Sequence, residues 1–285
     1  MYITEKTLDD LLYRVVSKLL QRGATIGASR GKTSELTGVL LHLTDPRARL
    51  SRTEKKGHIF SCLGELLWYL SKSNSVQFIS HYVPKYEKES DDGHTVYGGY
   101  GPRLFAMRGE YDQIQNVITL LRNRPSSRRA VIQLFDAEDI AQDHIEIPCT
   151  CTLQFLIRER RLNMITYMRS NDAFFGLPHD VFAFTMLQEI VARSLGVELG
   201  TYKHCVGSLH LYDEHRISAQ QYIEEGYQAR VRMPPMPTGD PFRSIGMLLQ
   251  AESTIRNGHA VTRNCYRLTY IGKMLSAYFR SINIF

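Results

Sequence analysis

The sequence predicts an α+β fold, helices packed against a sheet, and three observations predict it. Two long stretches are apolar on nearly every face and read as buried helices, and several shorter β-branched and aromatic runs read as strands. The 285 residues, 43% hydrophobic and 22% charged, fit one large globular domain with a real core.

The elements follow in order. Leu8, Leu11, Leu12, Val15, Val16, Leu19 and Leu20 recur at three-and-four spacing behind Thr7, with Asp10 three residues on: an amphipathic helix with an N-cap, ended by Gly23. Ile59 to Leu70 is a buried helix with Glu65 at its middle. Ser71 to Thr95 is polar and irregular, and is expected to be a surface loop. Ile114 to Leu121 continues as helix and breaks at Asn123 to Ser127; Ala130 to Phe135 is then a buried strand. Leu153 to Ile157 and Leu162 to Met168 form a hairpin about Arg158-Glu159-Arg160. Val181 to Leu195 is a further apolar helix, stopped by Gly196. The Pro-rich run Met233 to Pro241 is the clear break, giving a domain over residues 1–232 and a segment 233–285 with helices at Phe242 to Arg256 and Tyr266 to Phe279.

Composition narrows the functional classes. The formal charge is +6, but the arginines are dispersed, so direct nucleic-acid binding is not expected. Five cysteines without a regular framework suit a reducing cytoplasm, and the paired-Cys spacing of zinc sites is missing, so no metal is expected. The start leads straight into the amphipathic pattern, and no run reaches the length of a membrane span; a soluble cytoplasmic protein is the expectation.

Several residue types invite chemistry. Cys149 follows Pro148 at a strand entrance, where a thiol can face a cavity, and Arg128, Arg129 and Arg169 could favour its thiolate if the fold gathers them. On pattern alone a buried unreactive cysteine is the better reading, and Cys151 keeps it. A mid-helix carboxylate such as Glu65 is costly to bury unless paired or functional, although a narrow exposed stripe accounts for it equally well. Adjacent Arg128 and Arg129 follow a turn and precede a strand, where neighbouring side chains point to opposite faces. The pair can hardly serve one phosphate from one direction, although a second subunit could receive one of them. His210 and Tyr212 alternate onto one face and could hydrogen-bond a sugar hydroxyl.

Taken together, these residues resemble the thymidylate synthase family from about Arg30 to His215. The resemblance rests on Gly64-Glu65-Leu66-Leu67-Trp68-Tyr69-Leu70, Val96-Tyr97-Gly98, Pro125 to Arg129, and Pro148-Cys149 with Gln154-Phe155. It continues through Arg169 to Asp180 and His210-Leu211-Tyr212; so many ordered matches do not arise by chance. The resemblance implies a mixed sheet packed by long helices and a sheet-to-sheet homodimer. It implies that Cys149 adds to C6 of a pyrimidine nucleotide, and that 5,10-methylenetetrahydrofolate supplies a one-carbon unit to C5. Arg30, Arg169 and Ser170 would hold the phosphate, with Arg128 and Arg129 donated by the partner subunit. His210 and Tyr212 would hold the 3'-hydroxyl, Glu65 would organise water and proton transfers, and Tyr97 would assist proton removal at C5. Asp172 and Gly176 would line the folate site.

Departures from the family pattern carry the substrate reading. The family's Asn after Leu-Pro-Phe is Asp180. Asn pairs with N3–H and O4 of uracil. A carboxyl accepts from the amino group of cytosine and, when protonated, donates to its N3. The same Asp appears in the cytidylate and deoxycytidylate hydroxymethylase branch. The family's His after the nucleophile is Thr150. Its Trp-rich stretch reads Tyr82-Val83-Pro84-Lys85-Tyr86, a loss that is expected to admit water, and its apolar tail is replaced by Arg280 to Phe285. Ser170 leans toward deoxyribose. The expectation is a dCMP 5-hydroxymethylase; the alternatives are a thymidylate synthase or dCMP methyltransferase with folate as hydride donor, a CMP hydroxymethylase, and an inactive nucleotide-binding sensor.

Overall fold

The computed structural model describes residues 1–21, 25–28, 31–51, 59–226 and 231–259. Strands β1 (Tyr2–Glu5), β2 (Thr25–Ala28), β3 (Gly31–Leu43), β4 (Val131–Gln133), β5 (Thr150–Arg158), β6 (Arg161–Asp172) and β7 (Glu198–Tyr212) form one seven-stranded sheet. Its order is β1-β3-β7-β6-β5-β4, and β1 and β2 share one edge of β3, parallel and antiparallel to it. The β6–β7 pair is parallel, while β3–β7, β5–β6 and β4–β5 are antiparallel, so the sheet is mixed.

Helices α1 (Leu8–Gln21), α2 (Ile59–Leu70), α3 (Val76–Ser80), α4 (Tyr100–Phe105), α5 (Gln113–Asn123), α6 (Gly176–Leu195), α7 (Arg216–Glu224) and α8 (Pro241–Arg256) surround it. The predicted α1 cap is present: Thr7 Oγ1 accepts from Asp10 N at 3.1 Å and donates to Asp10 Oδ2 at 2.8 Å. The β5–β6 hairpin turns through Glu159 and Arg160, at φ 51° and 59°, the paired left-handed geometry that matches the natural strand twist. Helix α6 is buried along nearly all its length and stops at Gly196, φ 65°. Its Glu189 is fully buried against Arg49 and also accepts Met236 N at 2.7 Å, which ties the Pro-rich segment to the core. Helix α8 docks through Glu252, which accepts from Tyr82 Oη at 2.8 Å and from Arg256 Nε at 2.6 Å.

Three expectations need correction. Residues 71–95 are more than a surface loop: α3 buries Val76, Phe78 and Ile79, and a 3-10 turn at Pro84–Lys88 carries Tyr86 inward. Three apolar residues are too few to register as a helical period. The strand predicted at Ala130 to Phe135 shortens to β4 at the sheet edge, where Ile132 is buried and Val131 is 44% exposed. Helix α6 begins five residues before the predicted Val181, because Pro178 fits the first turn, where its missing N–H costs nothing. The helix expected at Tyr266 to Phe279 lies outside the described residues.

One irregularity runs across four strands. The β3–β7 ladder skips the Gly38–Gly207 pair, the β6–β7 ladder skips Arg169, and the β5–β6 register shifts between Thr150 and Thr152. Gly38 sits at φ 59°, and a Cβ on Gly207 would lie 2.8 Å from Arg169 O, so both positions favour glycine. On either side of this row the buried parity changes. In β7 it passes from Tyr202, His204 and Val206 to Leu209 and Leu211; in β6, from Leu162, Met164, Thr166 and Met168 to Asn171. Such bulges re-aim the side chains beyond them. Every strand-borne candidate residue lies at or beyond the row.

Candidate active site

Cys149 stands at the mouth of β5, half-buried and reduced. Its carbonyl accepts from Arg169 N at 2.8 Å, and the Arg169 guanidinium donates to Pro148 O at 3.0 Å and Ile147 O at 3.1 Å. Arg169 thus braces the segment that presents the thiol and sets a permanent positive charge against the backbone just before it. It uses two of its five N–H donors in these bonds, which leaves further donors for an anion. The neighbouring Cys151 thiol is pushed up by burial, against a smaller opposing pull from Arg169.

Thr150, at the family's His position, is clamped by Tyr100: Thr150 N donates to Tyr100 Oη at 3.1 Å, and that hydroxyl donates to Thr150 Oγ1 at 2.9 Å. Burial raises the Tyr100 phenol well above its usual value, and the charges of Asp180 and Cys149 add to the rise, which places all three groups in one neighbourhood.

Glu65 lies buried in α2 and accepts at Oε1 from Tyr69 Oη at 2.9 Å and Tyr86 Oη at 3.1 Å. These phenols answer the question the sequence raised about a mid-helix carboxylate: it is paired. Tyr86 packs edge-on to Trp68 at 5.4 Å, so a hydroxyl-bearing ring stands in the segment that lacks the family's tryptophans. Gly64, the family's His, makes room for this segment, since a Cβ there would lie 2.1 Å from the Tyr82 ring.

Asp180 sits in α6, one turn in. It keeps some accessible surface, yet protein encloses its carboxyl, and burial followed by the nearby Glu65 charge raises it well above the usual carboxylate range. Its Oδ2 accepts from Asn171 Nδ2 at 2.7 Å. Asn171 Oδ1 meets His204 Nε2 at 3.1 Å, and His204 Nδ1 meets Tyr202 Oη at 2.7 Å. Burial lowers His204 to about 3, so the imidazole is neutral, with one donor and one acceptor.

The remaining candidates fall around this centre. Asp172 ends β6; its Oδ1 accepts Phe174 N at 2.9 Å and its Oδ2 accepts Phe175 N at 3.3 Å, shaping the turn into α6. Gly176 packs on the same group: a Cβ would lie 3.0 Å from Asn171 Nδ2 and 3.7 Å from Asp180 Oδ2. His210 is in register with Asp172, and its ring stands perpendicular to that of Tyr212, 4.9 Å away. Ser170 is half-buried in β6 opposite Ser208. Tyr97 stacks on His144 at 3.5 Å, with the Arg103 guanidinium 5.1 Å from its ring; burial and then a hydrogen bond to Asp139 raise its phenol. Arg128 and Arg129 are exposed on the loop before β4. Arg30 and the tail through Phe285 lie outside the described residues.

Sequence reasoning missed Asn171, Tyr202, His204, Tyr86 and Tyr100. Tyr86 enters there as part of a stretch lacking tryptophan and Asn171 within the Arg169 to Asp180 motif, neither with a role of its own. A lone His on an alternating strand reads as core, and nothing local reveals that its strand changes parity a few residues on. A mostly apolar cavity of about 50 Å³ lies elsewhere, lined by Leu66, Met186, Ile190 and Leu248 with Thr238, Asp240 and Ser244; it holds no cysteine or histidine and is a packing gap beneath α8.

Fold and site together define an α+β domain with a thiol, buried carboxyls and a sugar-sized His–Tyr pair gathered at one end of a mixed sheet. The thymidylate synthase family model matches residues 14–238, and the chain belongs to that family. A similar protein, a deoxyuridylate hydroxymethyltransferase of Delftia phage PhiW-14, is 30% identical to it. That match covers 74% of this chain and 62% of the relative's length. No helix among the described residues is long and apolar enough to cross a membrane.

Proposed function

We propose that the protein is a dCMP 5-hydroxymethylase that works as a homodimer. The observation that carries the reading is Asp180: an enclosed carboxyl whose surroundings favour the protonated form, held by the Asn171 amide. A neutral carboxyl with its proton held on one oxygen can donate to N3 of cytosine and accept from its 4-amino group, whereas that proton would meet the N3–H of uracil donor to donor.

The Cys149 thiolate adds to C6, and the electron pair displaced to C5 makes that carbon nucleophilic. Bound 5,10-methylenetetrahydrofolate supplies the one-carbon unit taken up at C5; the spare lone pairs of Asp172, beside Phe175 and Gly176, fit the N–H edge of a pterin. Loss of the C5 proton, assisted by Tyr97, would release the carrier as tetrahydrofolate and leave an exocyclic double bond on the base. Water adds to that exocyclic carbon, and return of the electron pair to the C5–C6 bond expels Cys149 to leave CH2OH. Glu65 with Tyr69 and Tyr86 forms a hydroxyl-rich patch suited to hold that water. Arg169 and Ser170 hold the phosphate, joined by Arg128 and Arg129 of the partner subunit, and His210 and Tyr212 hold the 3'-hydroxyl. The sheet face bearing half-buried Leu40, Ile165 and Cys205 and exposed Tyr167 suits the dimer contact.

A second reading, dUMP hydroxymethylation, is favoured by the name of the phage relative. Tritium release from 5-tritiated dCMP, dUMP and CMP, with identification of the product, separates them. Release from dCMP with 5-hydroxymethyl-dCMP as product is expected, and Cys149→Ala is expected to abolish it. Exclusive use of dUMP, or a methylated product with dihydrofolate, overturns the dCMP hydroxymethylase reading.

A further inference from the structure

We propose that His204 and Tyr202 set the direction of a buried hydrogen-bond relay ending on Asp180, and that this direction determines which pyrimidine the site accepts. The inference rests on the pyrimidine-nucleotide reading of the site above, and assigns its base discrimination to two residues remote from the base.

The relay has four members in contact: Tyr202, His204, Asn171 and Asp180, at 2.7, 3.1 and 2.7 Å. Tyr202 and His204 are 1% exposed and Asn171 is 4% exposed, so water cannot substitute for a missing partner. A neutral imidazole, an amide and a neutral carboxyl admit two self-consistent arrangements. In one, Tyr202 O–H donates to His204 Nδ1, His204 Nε2–H donates to Asn171 Oδ1, and Asn171 Nδ2–H donates to Asp180 Oδ2. The acid proton of Asp180 then resides on Oδ1. In the other, every donor and acceptor is exchanged and the Asn171 amide is turned over. Asp180 Oδ2–H then donates into the relay, and Oδ1 is left as an acceptor.

These two states present opposite faces to a base. A proton on Oδ1 offers a donor, and a bare Oδ1 offers an acceptor. Cytosine and uracil differ in just this way at N3: an acceptor in the first, a donor in the second. A carboxyl with a mobile proton would serve both bases, so Asp180 alone does not discriminate. Discrimination requires the proton to be confined to one oxygen, and the structure adopts the arrangement with Asn171 Nδ2 toward Asp180. Among the described residues the imidazole is the group hydrogen-bonded to the far end of the Asn171 amide, and a Tyr202 hydroxyl that donates to Nδ1 holds it in the matching tautomer. His204 and Tyr202 are therefore positioning residues, acting through Asn171.

The test compares parent, His204→Leu, His204→Gln and Tyr202→Phe, each checked for folding by a cooperative thermal melt. The readouts are the dissociation constants for dCMP and dUMP by calorimetry and kcat/KM for each. The parent is expected to prefer one base by both measures. His204→Leu is expected to lower that preference tenfold or more while affinity for the less-favoured base holds or rises. His204→Gln, whose amide can still donate to Asn171, is expected to retain most of the preference, and Tyr202→Phe to fall between. A folded His204→Leu protein with the parent's preference overturns the inference, as does a parent that binds both bases equally. If the parent binds one base selectively but turns over neither, the proposed reaction fails, and the binding ratios still decide the relay.

Discussion

The surroundings of Asp180 favour its protonated form, at a cost that titration exposes. Burial raises its carboxyl above the ordinary 3.8, so above that pH the unfolded chain releases a proton that the folded chain keeps. Stability therefore falls as pH rises from about 4 to the folded value, by about 1.4 kcal/mol per unit. Asp180→Asn removes this loss. It is expected to melt higher than the parent at pH 8, with the gain vanishing near pH 4, and to move base preference toward dUMP by roughly a hundredfold. An unchanged melting temperature at pH 8 would mean that Asp180 is ionised and satisfied. His204 has the opposite sign. Its folded value of about 3 lies below the usual 6.5, so stability falls as pH drops from 6.5 toward 3. Replacing it with Gln is expected to flatten the acid limb of the melting profile. Cys149 and Asp180 were legible in the sequence because each sits inside an ordered motif. His204 was not, because its meaning depends on a contact with Asn171, 33 residues away.

At the scale of elements, the long periodic helices and the β5–β6 hairpin were legible, because burial repeats along them at a fixed period. The segment 71–95 was not. Its order comes from single anchors, Tyr86 on Glu65 and Tyr82 on Glu252, that no periodicity reports. The interrupted row across β3, β7, β6 and β5 is also invisible to a pattern of twos. Gly207→Ala tests it: the added Cβ meets backbone at Arg169, which cannot yield as a flexible side chain would. The variant is expected to lose about 1–3 kcal/mol in denaturant unfolding. It is also expected to lose activity beyond that, because Arg169 braces the Cys149 segment. Stability loss with full activity per folded molecule would separate the row from the site.

At the scale of the whole molecule, the proposed homodimer assigns the exposed Arg128 and Arg129 to the neighbouring subunit's phosphate. Mixing two inactive proteins, Cys149→Ala and the double variant Arg128→Ala with Arg129→Ala, tests this. Random reassociation makes half the dimers mixed, and each mixed dimer regains one sound site, so about a quarter of parental activity is expected. No recovery after verified subunit exchange would confine each site to one chain. The expectation of this sharing comes from the family resemblance; both arginines lie on the loop before β4, where strand alternation does not set their directions.

The row of skipped pairs has a further consequence. On one side of it the strands are committed to packing against helices; on the other they carry the groups that would meet a nucleotide. Residues at or beyond the row can be exchanged, Thr150 for the family's His among them, while the strands that support them keep their own contacts. A sheet divided in this way lets one architecture change the side chains that face its ligand while most of its interior stays as it is.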